Sequence, residues 1–327
     1  MLSRVADSLY WMSRYLERAE HNTRLLDVNL NLMLDEPSTS ADRRWQRVLQ
    51  ALGSPKGVEW KGDAMALAHC LTFDANTRSS VLACIVSARE NARHVREQIS
   101  TEMWQRLNSL YLQVTRLDLQ AGSGSRSSQQ NEAPTEFLGQ VMEAVHQFQG
   151  VTDSTMSHGE AWQFIQVGRY MERASATATL LEAYQPELWT PQDAMPDSNE
   201  YLEWMGLLRS ATAFEAYCKV YTADLAPDWI LEFLLLDQDF PHSLRFSIDA
   251  MQHALEAVQD VSGGTRSDKL SRIAGRLRAT LSYSSVEEIM NRNVVTYLHD
   301  IQVQCREIHI AIYELYVDYS IQAALAG

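Results

Sequence analysis

The sequence predicts an all-α protein, a helical bundle made of two related halves with no β-sheet. Three observations carry that prediction. Apolar residues recur with a helical period along most of the chain. Alternating apolar and polar stretches bounded by Gly-rich hairpin turns are absent. A charged hexapeptide also occurs twice: Arg14-Tyr15-Leu16-Glu17-Arg18-Ala19 returns as Arg169-Tyr170-Met171-Glu172-Arg173-Ala174, 155 residues later. Carried without gaps through Leu25 and Leu26 against Leu180 and Leu181, the match gives seven identities in thirteen positions. A second block agrees with it, because Leu71, Asp74, Ser80 and Ile85 repeat as Leu234, Asp237, Ser243 and Ile248 at an offset of 163. Loop insertions absorb the difference between the two offsets, and self-similarity of this kind points to an internal duplication.

The elements follow in order. The first helix is expected over 3–34, stopped by the polar segment Asp35-Glu36-Pro37-Ser38-Thr39-Ser40. Shorter helices are expected over 41–53 and 62–72. A long helical stretch covers 77–119, with a break at Ser100-Thr101-Glu102, where a hydroxyl can cap a new start. Residues 121–135 are rich in Gly, Ser and Gln and read as a flexible linker, so the halves are 1–120 and 136–327. The second half holds expected helices at 136–150, 157–184, 198–222, 227–236, 241–260, 266–283 and 285–325. Pro186, Pro191 and Pro196 punctuate the connection after the second hexapeptide, and Pro241 is placed at a first helical position.

Composition narrows the function. The 327-residue chain is 46% hydrophobic, enough for a sizeable core. Its net charge of −14 and pI near 5.1 argue against nucleic acid or an anionic membrane as partner, since such binding begins with a cationic face. Only Lys56, Lys61, Lys219 and Lys269 are lysines among 28 basic residues. The arginine bias fits an interior polar network, because guanidinium pairs in bidentate fashion with carboxylate or phosphate; a GC-rich genome gives the same bias. Cys70, Cys84, Cys218 and Cys305 form no CxxC pair and read as reduced core residues of a cytoplasmic protein. Asp7, Arg14, Glu17 and Arg18 break any signal-peptide core, and the longest apolar run, 229–236, is too short to span a bilayer.

On a helical projection, Arg14 and Arg18 share a sector with Leu25, and Tyr15, Trp11, Asn22, Leu26 and Ala19 follow on the same broad side. Ser13, Glu20 and Arg24 fall on the opposite, solvated side, with Glu17 at the border. Arg169 and Arg173 share a sector with Leu180 and Trp162. The four arginines are therefore expected to be mostly buried and paired, because an unpaired charge in a dry site costs several kcal/mol. Three readings fit. The two motifs meet and form a buried ion network; or the arginines hold a carboxylate or phosphate, oriented by Tyr15, Glu17, Tyr170 and Glu172; or the pairs are superficial.

Other constellations say less. Arg89, Asn91 and Arg93 crowd one helix and read as a solvated face or as a second anion-binding arm. A di-iron site needs Glu-x-x-His on two helices plus two more glutamates, and only Glu143 with His146 has that spacing, so no metal is expected. No phosphate-cradling loop, nucleophile elbow or dinucleotide fingerprint is present, so no cofactor is expected. His158-Gly159-Glu160 reads as a helix cap or a pocket edge.

With these residues quoted, the chain resembles the bacterial alpha-E family. The likeness runs through 6–26, through Ala88-Arg89-Glu90-Asn91-Ala92-Arg93, and through Phe164-Ile165-Gln166-Val167-Gly168-Arg169-Tyr170-Met171-Glu172-Arg173-Ala174. Ser13 stands where the family usually has the glycine that this chain keeps at Gly168. The resemblance implies an all-helical domain found beside, or fused to, circularly permuted ATP-grasp proteins and transglutaminase-like peptidases. A helical accessory to an ATP-grasp carboxylate–amine ligase is therefore the leading expectation, with a carboxylate-bearing small molecule or peptide as possible ligand. The alternatives are a stand-alone enzyme or ligand-binding protein, with Glu17 or Glu172 as general base, and a purely structural scaffold.

Overall fold

The structure is a computed structural model that describes residues 1, 3–33, 41–122, 133–184, 198–222, 224–262 and 268–318. Among these residues the backbone forms fourteen α-helices and a closing π-helical turn, Glu314–Asp318, and no strand. The expected linker lies largely outside the described residues; the helices on either side of it, α5 (Thr101–Gly122) and α6 (Ala133–Thr155), are long and regular. Two compact units emerge, one formed by 3–49 and 54–169 and the other by 170–327 with 50–53. The division falls inside α7 (Glu160–Glu182), so α6 and the start of α7 belong to the first unit.

The first unit is organised around α1 (Ser3–Leu32). It packs most extensively on α4 (Val81–His94) and next on α6, while α5 lies against α4 and α6. Twenty of the thirty residues of α1 are buried, so the helix has no single solvated stripe. This corrects the projection made from sequence: Ser13 and Glu20, assigned to solvent, are only 5% and 3% exposed. A projection assumes that one side faces water, and a helix with neighbours on several sides escapes that assumption. Local starts follow side-chain chemistry. Ser80 Oγ accepts from Ala83 N at 3.1 Å to open α4, and Ser100 Oγ accepts from Met103 N at 3.1 Å to open α5. The break expected near residue 100 is therefore present. In α2 (Ala41–Ala51), Trp45 is fully buried and stacks on Trp60 at 5.9 Å, while Trp60 Nε1 donates to Asp42 Oδ1 at 2.6 Å.

The second unit contains α8 (Ser198–Ser210), α9 (Phe214–Tyr221), α10 (Pro227–Leu236), α11 (Leu244–Ser262), α12 (Asp268–Tyr283), α13 (Val286–Arg292) and α14 (Val294–Tyr313). Helix α10 starts on a proline, whose missing N–H costs nothing at that position. It buries Ile230, Leu231, Phe233, Leu234 and Leu235, and it packs against α11, α12 and α13. Two expected long helices are split. Thr212, at φ 56°, separates α8 from α9. Asn293 is extended and caps α14 by accepting from Thr296 N at 3.0 Å. Pro241 does not begin a helix; α11 starts at Leu244 under Ser243, whose Oγ accepts from Phe246 N at 3.0 Å.

The residues of the second repeated block build the same local structure in both units. Helix α3 (Ala64–Phe73) ends at Asp74, whose carboxylate accepts from Asn76 N at 3.0 Å and from Thr77 Oγ1 at 2.7 Å before Ser80 opens α4. Helix α10 ends at Asp237, whose Oδ1 accepts from Asp239 N at 2.8 Å and Phe240 N at 2.7 Å before Ser243 opens α11. An aspartate thus ties each connection into a turn and a serine starts the next helix.

Candidate functional site

Glu17 of the first hexapeptide and Arg169 of the second come together in the first unit, where α7 passes α1 at Gly168. A Cβ built on Gly168 would lie 2.2 Å from Ser13 Oγ and 2.3 Å from the Tyr10 carbonyl oxygen. The missing side chain is what lets the two backbones approach. One residue further along α7, Arg169 donates through an η nitrogen to Gln149 Oε1 at 2.6 Å. Gln149 Nε2 in turn donates to Glu17 Oε2 at 3.1 Å. Arg169 also lies 4.0 Å from Glu17 Oε2 and 4.0 Å from Asp153 Oδ2. Gln149 therefore bridges the glutamate of the first hexapeptide and the arginine of the second.

The network continues along α1 as a polar ladder. Glu20, one turn beyond Glu17, accepts from Arg24 Nε at 2.8 Å and lies 3.6 Å from His146 Nε2. Glu17, Glu20 and Arg24 share one face of α1 at spacings of three and four, and His146, Gln149 and Asp153 share one face of α6 in the same way. Glu17 and Glu20 are each 3% exposed. Two carboxylates in such a place persist only with partners supplied.

The other signature side chains are held separately. Arg14 is buried, donates to Tyr10 Oη at 3.0 Å and lies 4.8 Å from the Trp11 ring centroid. The Arg18 guanidinium lies 5.6 Å from the Tyr15 ring centroid. Arg14 and Arg173 are the most enclosed of the four, and Arg169, with its side chain 17% exposed, is mostly buried as expected, while Arg18 is partly covered. In the second unit Arg173 donates to the Pro241 carbonyl at 3.2 Å and stands over the Tyr170 ring at 5.5 Å, while Tyr170 meets Phe246 edge-on. Glu172 is 6% exposed. Arg89 is turned towards α5, donating to Asn108 Oδ1 at 2.9 Å and lying 4.3 Å from the Tyr111 ring centroid. Asn91 donates back to the Ser87 carbonyl, and exposed Arg93 pairs with Glu90. His158 stacks on Trp162 at 4.1 Å, and its ring nitrogen lies 3.0 Å from the Asp153 carbonyl.

Sequence reasoning missed Gln149, Glu20 and the pairing function of Asp153. None of these carries a sequence signal of its own, because the pairing depends on which helices lie beside α1. It also missed Asn22 and Thr177, which hold the helix-entry loops. Asn22 Nδ2 donates to the Ser79 carbonyl at 2.6 Å, and Thr177 Oγ1 donates to the His242 carbonyl at 3.3 Å.

Asp7, near the start of α1, adds a pH-dependent element. Burial pushes its carboxyl above the usual value of 3.8, opposed in part by a hydrogen bond with Trp11. A raised acid contributes stability below the unfolded pKa and loses that contribution as pH rises through the folded one. At neutral pH the ionised carboxylate therefore opposes folding. Asp7→Asn is expected to raise the melting temperature at neutral pH, and thermal scans should show that gain shrinking to nothing below pH 3.8.

Comparison with known proteins places these residues in a wider group. The family model for Alpha-E, described as "a predicted alpha-helical domain with a conserved ER motif", matches residues 1–317. An uncharacterized protein of Mycobacterium bovis is 23% identical over 303 residues, covering 88% of this chain and 33% of its own length. An uncharacterized protein of Mycobacterium tuberculosis gives the same identity and coverage. The chain thus spans about a third of the length of the curated relatives it matches. No solved structure matches it.

Proposed function

This chain belongs to the Alpha-E family, and we propose that it acts as a helical accessory to an ATP-grasp carboxylate–amine ligase, assisting formation or processing of a peptide-like amide bond. The observation that carries this reading is the length of the relatives. In them the matching stretch occupies 33% of a larger protein, which supports a helical domain that works beside other machinery. The signature chemistry agrees. Glu17, Gln149 and Arg169 satisfy one another, as expected of side chains that fix the packing of a binding domain. The test measures product formation by a circularly permuted ATP-grasp ligase from the same organism, with and without this protein. A change in turnover on addition supports the reading; equal turnover, with no complex by size exclusion, rejects it.

We also propose that the two units descend from one duplicated helix–loop–helix ancestor. Asn22 and Thr177 occupy equivalent positions of the repeated signature helix, and the carbonyls they bind, Ser79 and His242, occupy equivalent positions of the repeated loop. Exchange is therefore expected to be tolerated. Asn22→Thr and Thr177→Asn should each stay within about 0.5 kcal/mol of wild type in chemical denaturation, whereas Asn22→Ala should lose about 1 kcal/mol. Equal loss in the exchanged and alanine variants would count against the duplication.

A further inference from the structure

We infer that the paired rings of Tyr221 and Trp229, in the second unit, are the docking surface for an arginine-bearing segment of a partner polypeptide. Tyr221 closes α9, and Trp229 stands in the first turn of α10. Their rings stack with centroids 5.6 Å and planes 18° apart, and the buried rings of Tyr217 and Phe233 support Tyr221 from behind. Trp229 is nevertheless 36% exposed, and Val220, next to Tyr221, is 59% exposed. An aromatic side chain held by its neighbours and open to solvent is the kind of anchor that dominates protein interfaces, where Trp, Tyr and Arg carry most of the binding energy. The backbone agrees. Helix α9 is bracketed by two threonines at positive φ, Thr212 at 56° and Thr222 at 59°. A β-branched residue is strained there, and such strain gathers at ligand clamps and switch regions.

The charge around the rings selects the occupant. Between Phe214 and Asp239 the acids Glu215, Asp224, Asp228, Glu232, Asp237 and Asp239 outnumber a single base, Lys219. Lys219 is two positions from Tyr221 and so projects from the other side of α9. Glu232 accepts from Tyr221 Oη at 3.1 Å, and Asp228, one turn earlier, shares its side of α10. Burial, followed by the charges of Glu232, Asp237 and Asp228, pushes the Tyr221 hydroxyl up to about 12. Three carboxylates therefore act at the ring pair. An anionic segment would meet their repulsion, and a neutral one would leave their field unused. Arginine uses both parts of the surface, because its flat guanidinium stacks on an indole while its N–H groups donate to carboxylates. The site stands whether or not the partner is a ligase.

The experiment follows the indole N–H resonances of the eight tryptophans of the full chain by NMR while a short peptide of repeating Gly-Ser-Arg is added. The Trp229 signal is the one lost in Trp229→Leu. The expected result is that Trp229 moves while the other indoles hold, and that Trp229→Leu raises the dissociation constant about threefold or more. Asp228→Asn with Glu232→Gln should also weaken binding about threefold or more. Glu136→Gln with Glu143→Gln removes the same charge from exposed sites of α6 in the first unit, and should leave the constant within about twofold. A Trp229 indole that stays in place overturns the proposal. So does equal weakening by the two neutralised pairs, and so does equal binding of a Gly-Ser-Gln peptide. A dimer in size exclusion that Trp229→Leu dissolves also overturns it, and assigns the rings to a second copy of the chain.

Discussion

Replacing Gly168 by alanine is expected to destabilise the protein by at least about 2 kcal/mol, even though alanine is the better helix former by about 1 kcal/mol. The added methyl would meet Ser13 Oγ at 2.2 Å and the Tyr10 carbonyl oxygen at 2.3 Å. A serine hydroxyl can rotate away, but a helical carbonyl cannot move without displacing α1, around which the first unit is packed. The two obstacles can be separated by experiment. Ser13→Gly in the Gly168→Ala background removes one of them and should recover less than half of the loss in urea denaturation. Full recovery would mean that the Tyr10 carbonyl is not an obstacle to a methyl at position 168. A Gly168→Ala variant as stable as wild type would remove the crossing from the account of the fold.

Arg169→Met is expected to cost about 2–4 kcal/mol, because it leaves the Glu17 carboxylate, 3% exposed, with a cationic neighbour removed. Gln149→Leu should cost a comparable amount, since it cuts the link to both charges at once. The informative quantity is the coupling between the two substitutions. If Gln149 acts as the bridge, the double variant should be less destabilised than the sum of the singles by about 1 kcal/mol or more. Strict additivity in a denaturation cycle would show two independent contacts in place of a network. Replacing Glu17 by glutamine in the Arg169→Met background should restore part of the loss, because the stranded charge is then gone.

Sequence and structure divide this protein along a physical line. Properties that depend on neighbours along the chain were legible from residues alone. Helical periodicity gave the all-α class. The serine at position 100 marked the entry to α5, and the helix expected over 227–236 is α10. The charged hexapeptide, repeated at Arg14 and Arg169, led to the family that the chain was later found to match over residues 1–317. Properties that depend on what lies opposite a helix face were not legible. Glu20 was placed in solvent because charge and azimuth suggest it, and only the packing of α4 and α6 around α1 buries it. Gln149 carries no signal of its own; it becomes the bridge because α6 sets it between Glu17 and Arg169. Arg18 and Arg169 share a sequence pattern with Arg14 and Arg173, yet they are less buried, since each arginine's burial is set by the helix across from it. The sequence by itself determined the helices, many of their ends and the repeated motif, because those follow from local sterics, capping and period. The tertiary structure decided which of the charges are enclosed and which partner each one meets, because desolvation and pairing are properties of the space between helices.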